Sequence, residues 1–362
     1  MLDAVLFVNH QLIAREVCSV NILVTGGLGF IGSHTCVALL EAGNSVVIAD
    51  NLTNSSIDVL FKIRDISRGD AVFYEADLTD KIWVDKIFAE NKLDGVIHFA
   101  GLKAVGESLK TPLLYYFNNL QSTMTILSSC LQYGVNRFVF SSSATVYGDN
   151  QTPLSEDMAL KPTINPYGES KVINEKILSD VAMAYPELSV SLLRYFNPVG
   201  AHESGLIGEN PCGIPNNLMP LIVRAASGDL DCLHIFGGDY DTYDGTCIRD
   251  YIHVMDVAEG HVAALENLQR GVNAYNLGTG RGTSVLELIH TFEEANDISV
   301  PYRLVGRRAG DIAVCYADVS KAERCLGWKA KRTLFDMCRD SWRFQLMNSP
   351  KLVKQNNIGV LI

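Results

Sequence analysis

Short unbroken apolar runs rich in β-branched residues alternate, along the first half of the chain, with longer stretches in which apolar positions recur every three or four residues. The runs cover Asn21-Ile22-Leu23-Val24-Thr25 and residues 45–49, 71–74, 95–99, 137–141 and 190–193. Between them, residues 81–90, 112–133 and 167–185 carry the helical period. Strands that are apolar on both faces, separated by amphipathic helices, predict a parallel sheet covered on both sides, an α/β fold wound in both directions. From 197 to 220 the composition shifts to Gly, Pro and Asn, which predicts binding loops on a smaller mixed α/β domain. The expected organisation is an appended segment over 1–20, a first domain over 21–196, a second over 197–347 from which some strands return to the first, and a tail over 348–362.

With 362 residues, 48% of them hydrophobic, the chain can bury one large core or two ordinary ones. A formal charge of -11 argues against a nucleic-acid or anionic-membrane partner, so an anionic ligand would have to be held by a few placed arginines. Nine cysteines, odd in number, scattered and never in a Cys-x-x-Cys pair, predict reduced thiols in a cytoplasmic protein. No metal site is expected. No apolar run reaches the length of a bilayer span. Asp3 stands where a secretory signal would carry basic charge, so no such signal is expected.

The first run leads into Gly26-Gly27-Leu28-Gly29-Phe30-Ile31-Gly32 and then a helical pattern. Strand, glycine turn, helix is the order of a Rossmann-type dinucleotide site, where backbone approaches a pyrophosphate and the helix N-terminus supplies N–H donors. Gly27, Gly29 and Gly32 fit one spacing of that motif and Gly26, Gly29 and Gly32 another; the sequence does not choose between them. Asp50 ends the second run, where a carboxylate can accept from both ribose hydroxyls and repel a 2'-phosphate, which favours NAD over NADP. Asp77 ends the third run and is a candidate for the adenine amine, while Ala100-Gly101 permits close backbone approach. His98, inside an apolar run, reads as a core histidine.

Tyr167 and Lys171 stand four residues apart at the start of a predicted helix and so share a face. A cation beside a phenol favours the phenolate, which would make a base able to work near neutral pH. Ser143 lies at the end of the earlier run that begins at Arg137. Glycine loop, strand-end serine and Tyr-x-x-x-Lys, in that order, resemble the extended short-chain dehydrogenases. The stretches Val96 to Ser108, Ser141 to Gly148, Leu193 to His202, Gly213 to Pro220 and Arg249 to Val254 resemble the UDP-galactose 4-epimerase branch of that family, and the resemblance runs from about residue 21 to 347.

The resemblance implies interconversion of UDP-galactose and UDP-glucose with NAD as cofactor, in a homodimer packed through residues 112–133 and 167–185. It implies that Tyr167 takes the proton of the sugar 4-hydroxyl, that Ser143 hydrogen-bonds the same oxygen, and that Lys171 lowers the tyrosine pKa and holds the nicotinamide ribose. It places NAD against Gly26, Gly29, Phe30, Ile31, Gly32, Asp50, Asn51, Asn54, Asp77, Leu78, Phe99, Ala100, Gly101, Lys103, Asn118, Ser141, Tyr167, Lys171 and Tyr195. It places the UDP-sugar against Ser143, Asn197, Asn216, Asn217, Leu218, Phe236, Arg249, Arg308, Asp311 and Cys315, the arginines clamping the diphosphate. Cys315 occupies a position that is either bulky and aromatic or small in the family, and a small residue predicts room for N-acetylated sugars. A related dehydratase needs an acid and a base directly after the serine, where this chain has Ala144 and Thr145. A uronate epimerase or decarboxylase and a non-catalytic NAD sensor are also compatible with this fold.

Overall fold

Seven strands lie side by side and all run parallel. They are β1 (Asn21–Thr25), β2 (Ser45–Asp50), β3 (Ala71–Glu75), β4 (Gly95–His98), β5 (Arg137–Ser143), β6 (Ser189–Tyr195) and an edge strand, Gly271–Leu277. The computed structural model describes residues 19–349 except 212, 214, 216 and 309, so nearly all of the expected N-terminal segment and tail lie outside the described residues. Across the sheet the order is edge strand, β6, β5, β4, β1, β2, β3, a Rossmann-type arrangement whose direction of winding reverses between β1 and β4.

The pleat explains why the strands are apolar throughout. Ile22 and Val24 point into one layer with Ile48, Ile97 and Val139, while Leu23 points into the opposite layer with Val47, Val96 and Phe138. His98 is buried between the layers, with Thr25 Oγ1 2.7 Å from Nδ1 and Thr123 Oγ1 3.2 Å from Nε2. Both β5 and β6 extend two residues beyond the apolar runs, because Ser141, Ser142 and Ser143 pair in register with Leu193, Arg194 and Tyr195. Backbone ladders do not need apolar side chains, so the run underestimates the strand.

The edge strand and the helix Val254–Glu266 come from beyond residue 196 yet pack with the sheet, Val257, Ala264 and Leu265 lying in the same apolar layer as Cys36 and Val37. A second apolar cluster gathers Met219, Ile222, Phe292, Met337 and Trp342 from the helices Leu218–Ala226, Val285–Asn296 and Leu334–Asn348. All cysteines among the described residues are free. Among those residues no helix is long and apolar enough to cross a membrane.

Candidate active site

The turn from β1 into helix α1 (Phe30–Glu41) is built by backbone contacts that only glycine allows. Gly26 has φ +66°, and a Cβ there would stand 2.9 Å from the Ala100 nitrogen. A Cβ on Gly32 would lie 2.3 Å from the Gly26 carbonyl oxygen, and the Gly29 nitrogen donates to that same oxygen at 3.1 Å. Gly26, Gly29 and Gly32 meet around one carbonyl, while Gly27 packs inward on Ile48. Phe30 and Ile31 open α1, whose first N–H groups point at the turn. Asp50, at the end of β2, accepts from the Leu28 nitrogen at 3.1 Å, the Leu52 nitrogen at 3.0 Å and Ser55 Oγ at 2.8 Å. A carboxylate offers about four acceptor positions and can share them, so ribose hydroxyls can still be received.

Around this turn lie the ends of the neighbouring strands. Asn51 Oδ1 caps the Thr53 nitrogen at 3.1 Å, and Asn54 follows in the same loop. Asp77 Oδ1 accepts from both the nitrogen and the hydroxyl of Thr79, and Leu78 beside it is buried. After β4, Phe99 packs on His261 with ring centres 4.6 Å apart, and the Ala100 nitrogen donates to Thr25 Oγ1 at 3.3 Å. The Gly101 to Lys103 segment is fastened by Asn119, which accepts from the Leu102 nitrogen at 2.8 Å and donates to the Leu102 carbonyl at 3.0 Å and to Ser170 Oγ at 3.1 Å. Asn118 donates to Asn119 Oδ1 at 3.0 Å. A flat, glycine-floored cradle next to a ribose-type carboxylate fits a dinucleotide.

The helix Pro166–Ala184 starts where Pro166 fits the first turn and Asn165 Oδ1 accepts from the Gly168 nitrogen at 2.8 Å. It presents Tyr167 and Lys171 to the ends of β5 and β6. Ser143 lies at the Tyr167 phenol, and its Oγ accepts from Thr145 Oγ1 at 3.0 Å. The Lys171 ammonium donates to the Ser141 carbonyl at 2.7 Å, and the Tyr195 hydroxyl donates to Ser141 Oγ. Burial pushes the Tyr167 phenol above its ordinary pKa, with the Ser143 bond pulling the other way. Burial lowers Lys171 to about 8, with Glu175 opposing. The Lys171 ammonium stands 5.9 Å from the centre of the Tyr167 ring, so its charge faces the phenol while one of its protons goes to the Ser141 carbonyl.

On the other side, Asn197 donates its backbone N–H to the Asp250 carbonyl at 3.0 Å. Asn217 precedes the helix that Leu218 opens, and its Nδ2 donates to Glu209 Oε1 at 2.5 Å. Lys103 reaches the same Glu209 oxygen at 3.3 Å, so one carboxylate ties a residue expected at the cofactor to one expected at the sugar. Asn216 lies outside the described residues. The Arg308 guanidinium sits 5.8 Å from the ring centre of Phe236 and donates to Asp311 at 2.7 Å. Arg249 and Cys315 are partners in register on short paired strands, and Arg249 Nη1 donates to the Ile248 carbonyl at 2.8 Å. Burial pushes the Cys315 thiol up, which keeps it neutral and unreactive.

Comparison with known proteins matches residues 22–278 to the NAD dependent epimerase/dehydratase family. The chain belongs to that family. It is 58% identical over 330 residues to the UDP-glucose 4-epimerase of Bacillus subtilis, covering 90% of this chain and 97% of that one. The crystal structure of UDP-glucose 4-epimerase from Bifidobacterium longum, in complex with NAD+ and UDP, superposes with a TM-score of 0.88 at 51% identity, covering 91% of this chain and 98% of that one. The UDP-Glc/GlcNAc 4-epimerase of Campylobacter jejuni superposes with a TM-score of 0.79 at 39% identity, covering 91% of this chain and all of that one (100%).

Within this epimerase/dehydratase frame, three polar features are invisible to sequence pattern alone. Asp250 is fully buried and accepts from the Thr279 nitrogen and hydroxyl, the Gly280 nitrogen and the Ala317 nitrogen, at 2.8, 2.7, 3.0 and 3.2 Å, which locks the Arg249 strand. Asn119 fastens the segment that follows β4, and Glu175 with Arg194 forms a buried ion pair behind Ser143. Asp250 stands inside the stretch Arg249 to Val254 and Glu175 one turn after Lys171, so position is the available signal.

Proposed function

We propose that the chain is an NAD-dependent UDP-glucose 4-epimerase, interconverting UDP-galactose and UDP-glucose. The observation that carries the reading is the meeting of Ser143, Tyr167 and Lys171 at the C-terminal ends of β5 and β6, in a sheet whose switch point is floored by Gly26, Gly29 and Gly32. Bound NAD would accept the hydrogen of the sugar C4 with its electron pair and later return it. Tyr167 would take the proton of the 4-hydroxyl, with Ser143 bonded to the same oxygen, and would give it back after the 4-keto sugar has turned over. Lys171 would hold the ribose side of the cofactor and keep positive charge near the site. Asp50 would receive the adenosine ribose.

Inversion needs a nucleotide held firmly and a sugar held loosely. Arg249 and Arg308 would grip the diphosphate, Asp311 and Phe236 the uridine, while Asn197, Asn217 and Cys315 would line the sugar. We assign NAD to residues 21–196 with the edge strand Gly271–Leu277 and the helix Val254–Glu266, and the UDP-sugar to the remaining residues of 197–347. The small Cys315 supports a second activity on UDP-GalNAc and UDP-GlcNAc, a breadth carried by the name of the Campylobacter relative. Free cysteines support a cytoplasmic location. A homodimer is supported by Leu113, Phe117 and Met124, exposed along one face of the helix Pro112–Tyr133.

The test is to incubate the purified protein with UDP-galactose, with and without added NAD, and to separate the products. UDP-glucose is the expected product; no conversion even with NAD supplied overturns the reading. Light scattering on the same sample gives the oligomeric state.

A further inference from the structure

Behind the catalytic serine, one face of the helix Pro166–Ala184 carries a third group in line with Tyr167 and Lys171. Glu175 stands one turn beyond Lys171 and is only 5% exposed. Its Oε1 accepts from Ser142 Oγ at 2.6 Å and from Arg194 Nε at 3.0 Å, and its Oε2 from Arg194 Nη2 at 2.6 Å. Ser142 and Arg194 face each other in register, each one residue before a group of the site, Ser143 and Tyr195. A single carboxylate therefore joins the helix to the ends of both strands.

The pair reaches further. The Arg194 guanidinium lies 4.9 Å from the ring centre of Tyr147, whose hydroxyl donates to Asn276 Oδ1 at 2.7 Å on the edge strand. Arg194 Nη1 is buried without a hydrogen-bond partner, and among the described residues Glu175 is the carboxylate paired with that cation. A buried ion pair is weak as a source of stability, since packed apolar residues often do as well or better. Its location suggests another use.

We propose that Glu175 is a positioning residue for the epimerisation: held by Arg194, it fixes the ends of β5 and β6 around Ser143 and presents its negative charge to Lys171. The inference rests on the C4 oxidation chemistry proposed above. The titratable groups at Lys171 are Tyr167 and Glu175 on its own helix and His98 on β4; Tyr115, on the helix Pro112–Tyr133, and Tyr195, on β6, face Tyr167, and Arg194 faces Glu175. His98 is held down to about 3 by burial and by the Lys171 charge, and burial pushes the Tyr195 phenol up, so neither is charged near neutral pH. Glu175 is thus the anion whose charge opposes the loss of the Lys171 proton.

The experiment compares wild type, Glu175→Gln and the double variant Glu175→Leu/Arg194→Met. Glu175→Gln leaves the Arg194 cation unpaired and is expected to lose thermal stability; the double variant removes both charges and is expected to recover it. In Glu175→Gln the alkaline limb of kcat for UDP-galactose should move to lower pH by about one unit, with KM within about twofold, because the anion is lost while the Arg194 cation stays; in the double variant, which loses both charges, the limb should return toward its wild-type place. A folded Glu175→Gln that keeps the wild-type pH profile overturns the proposal and leaves the pair a structural one. If Glu175→Gln fails to fold, Glu175→Asp replaces it: a profile that stays in place with lowered kcat supports the positioning role, and unchanged kcat overturns it. Wild type that leaves UDP-galactose unconverted would instead fault the proposed function.

Discussion

The Lys171 ammonium stands 5.9 Å from the centre of the Tyr167 ring, with its hydrogen bond committed to the Ser141 carbonyl. Burial raises the Tyr167 phenol, with Ser143 opposing that shift. Replacing Tyr167 by Phe keeps the ring and removes the proton carrier. The expected result is a fall in kcat of at least about 100-fold with NAD content unchanged, read from initial rates and from nucleotide released on denaturation.

Lys171 should cost the fold stability. Its folded pKa of about 8 lies below the ordinary 10.5, so folding expels a proton between those values. The penalty is present in full below pH 8 and fades as the pH rises toward 10.5. Lys171→Met should therefore melt higher at pH 7, by a stabilisation on the order of 2 kcal/mol, with the gain shrinking at about pH 10 and activity lost. Calorimetry at the two pH values checks it.

Gly26→Ala and Gly32→Ala test the cradle. The first places a Cβ on a left-handed residue against the Ala100 backbone, the second drives one into the Gly26 carbonyl. Strain of about 1–3 kcal/mol should weaken NAD binding roughly 10- to 100-fold, measured by titration with the cofactor. An unaltered affinity would mean that the dinucleotide lies elsewhere.

Cys315→Tyr should narrow the sugar range. A ring beside Arg249 fills the space an N-acetyl group would use, so kcat/KM for UDP-GalNAc should drop more than about tenfold while that for UDP-galactose stays within about threefold. Equal losses on both sugars would remove Cys315 from the pocket wall.

The strands were legible because a sheet covered on both sides admits only apolar runs, and the glycine turn because Gly26 and Gly32 touch backbone. Ser143, Tyr167 and Lys171 were legible as spacing, while the burial around the phenol was not, since desolvation depends on everything packed against it. Asp250 was hidden for a similar reason. Its donors, Thr279, Gly280 and Ala317, lie far along the chain, and no period in the sequence brings them to one carboxylate. Glu175 and Arg194, 19 positions apart and on different elements, carry no shared period, and only the fold places them together.

The edge strand Gly271–Leu277 carries a consequence for synthesis. A ribosome that has made β6 has not yet made its neighbour, so the β6 backbone groups, buried in the finished sheet, remain an open template while the whole stretch from Asn197 onward is added. At about 5–20 residues per second that interval lasts several seconds, long enough for a nascent chain to pair wrongly or to recruit a chaperone. Only when Asn276 emerges can the Tyr147 hydroxyl find its acceptor and the wall behind Arg194 close.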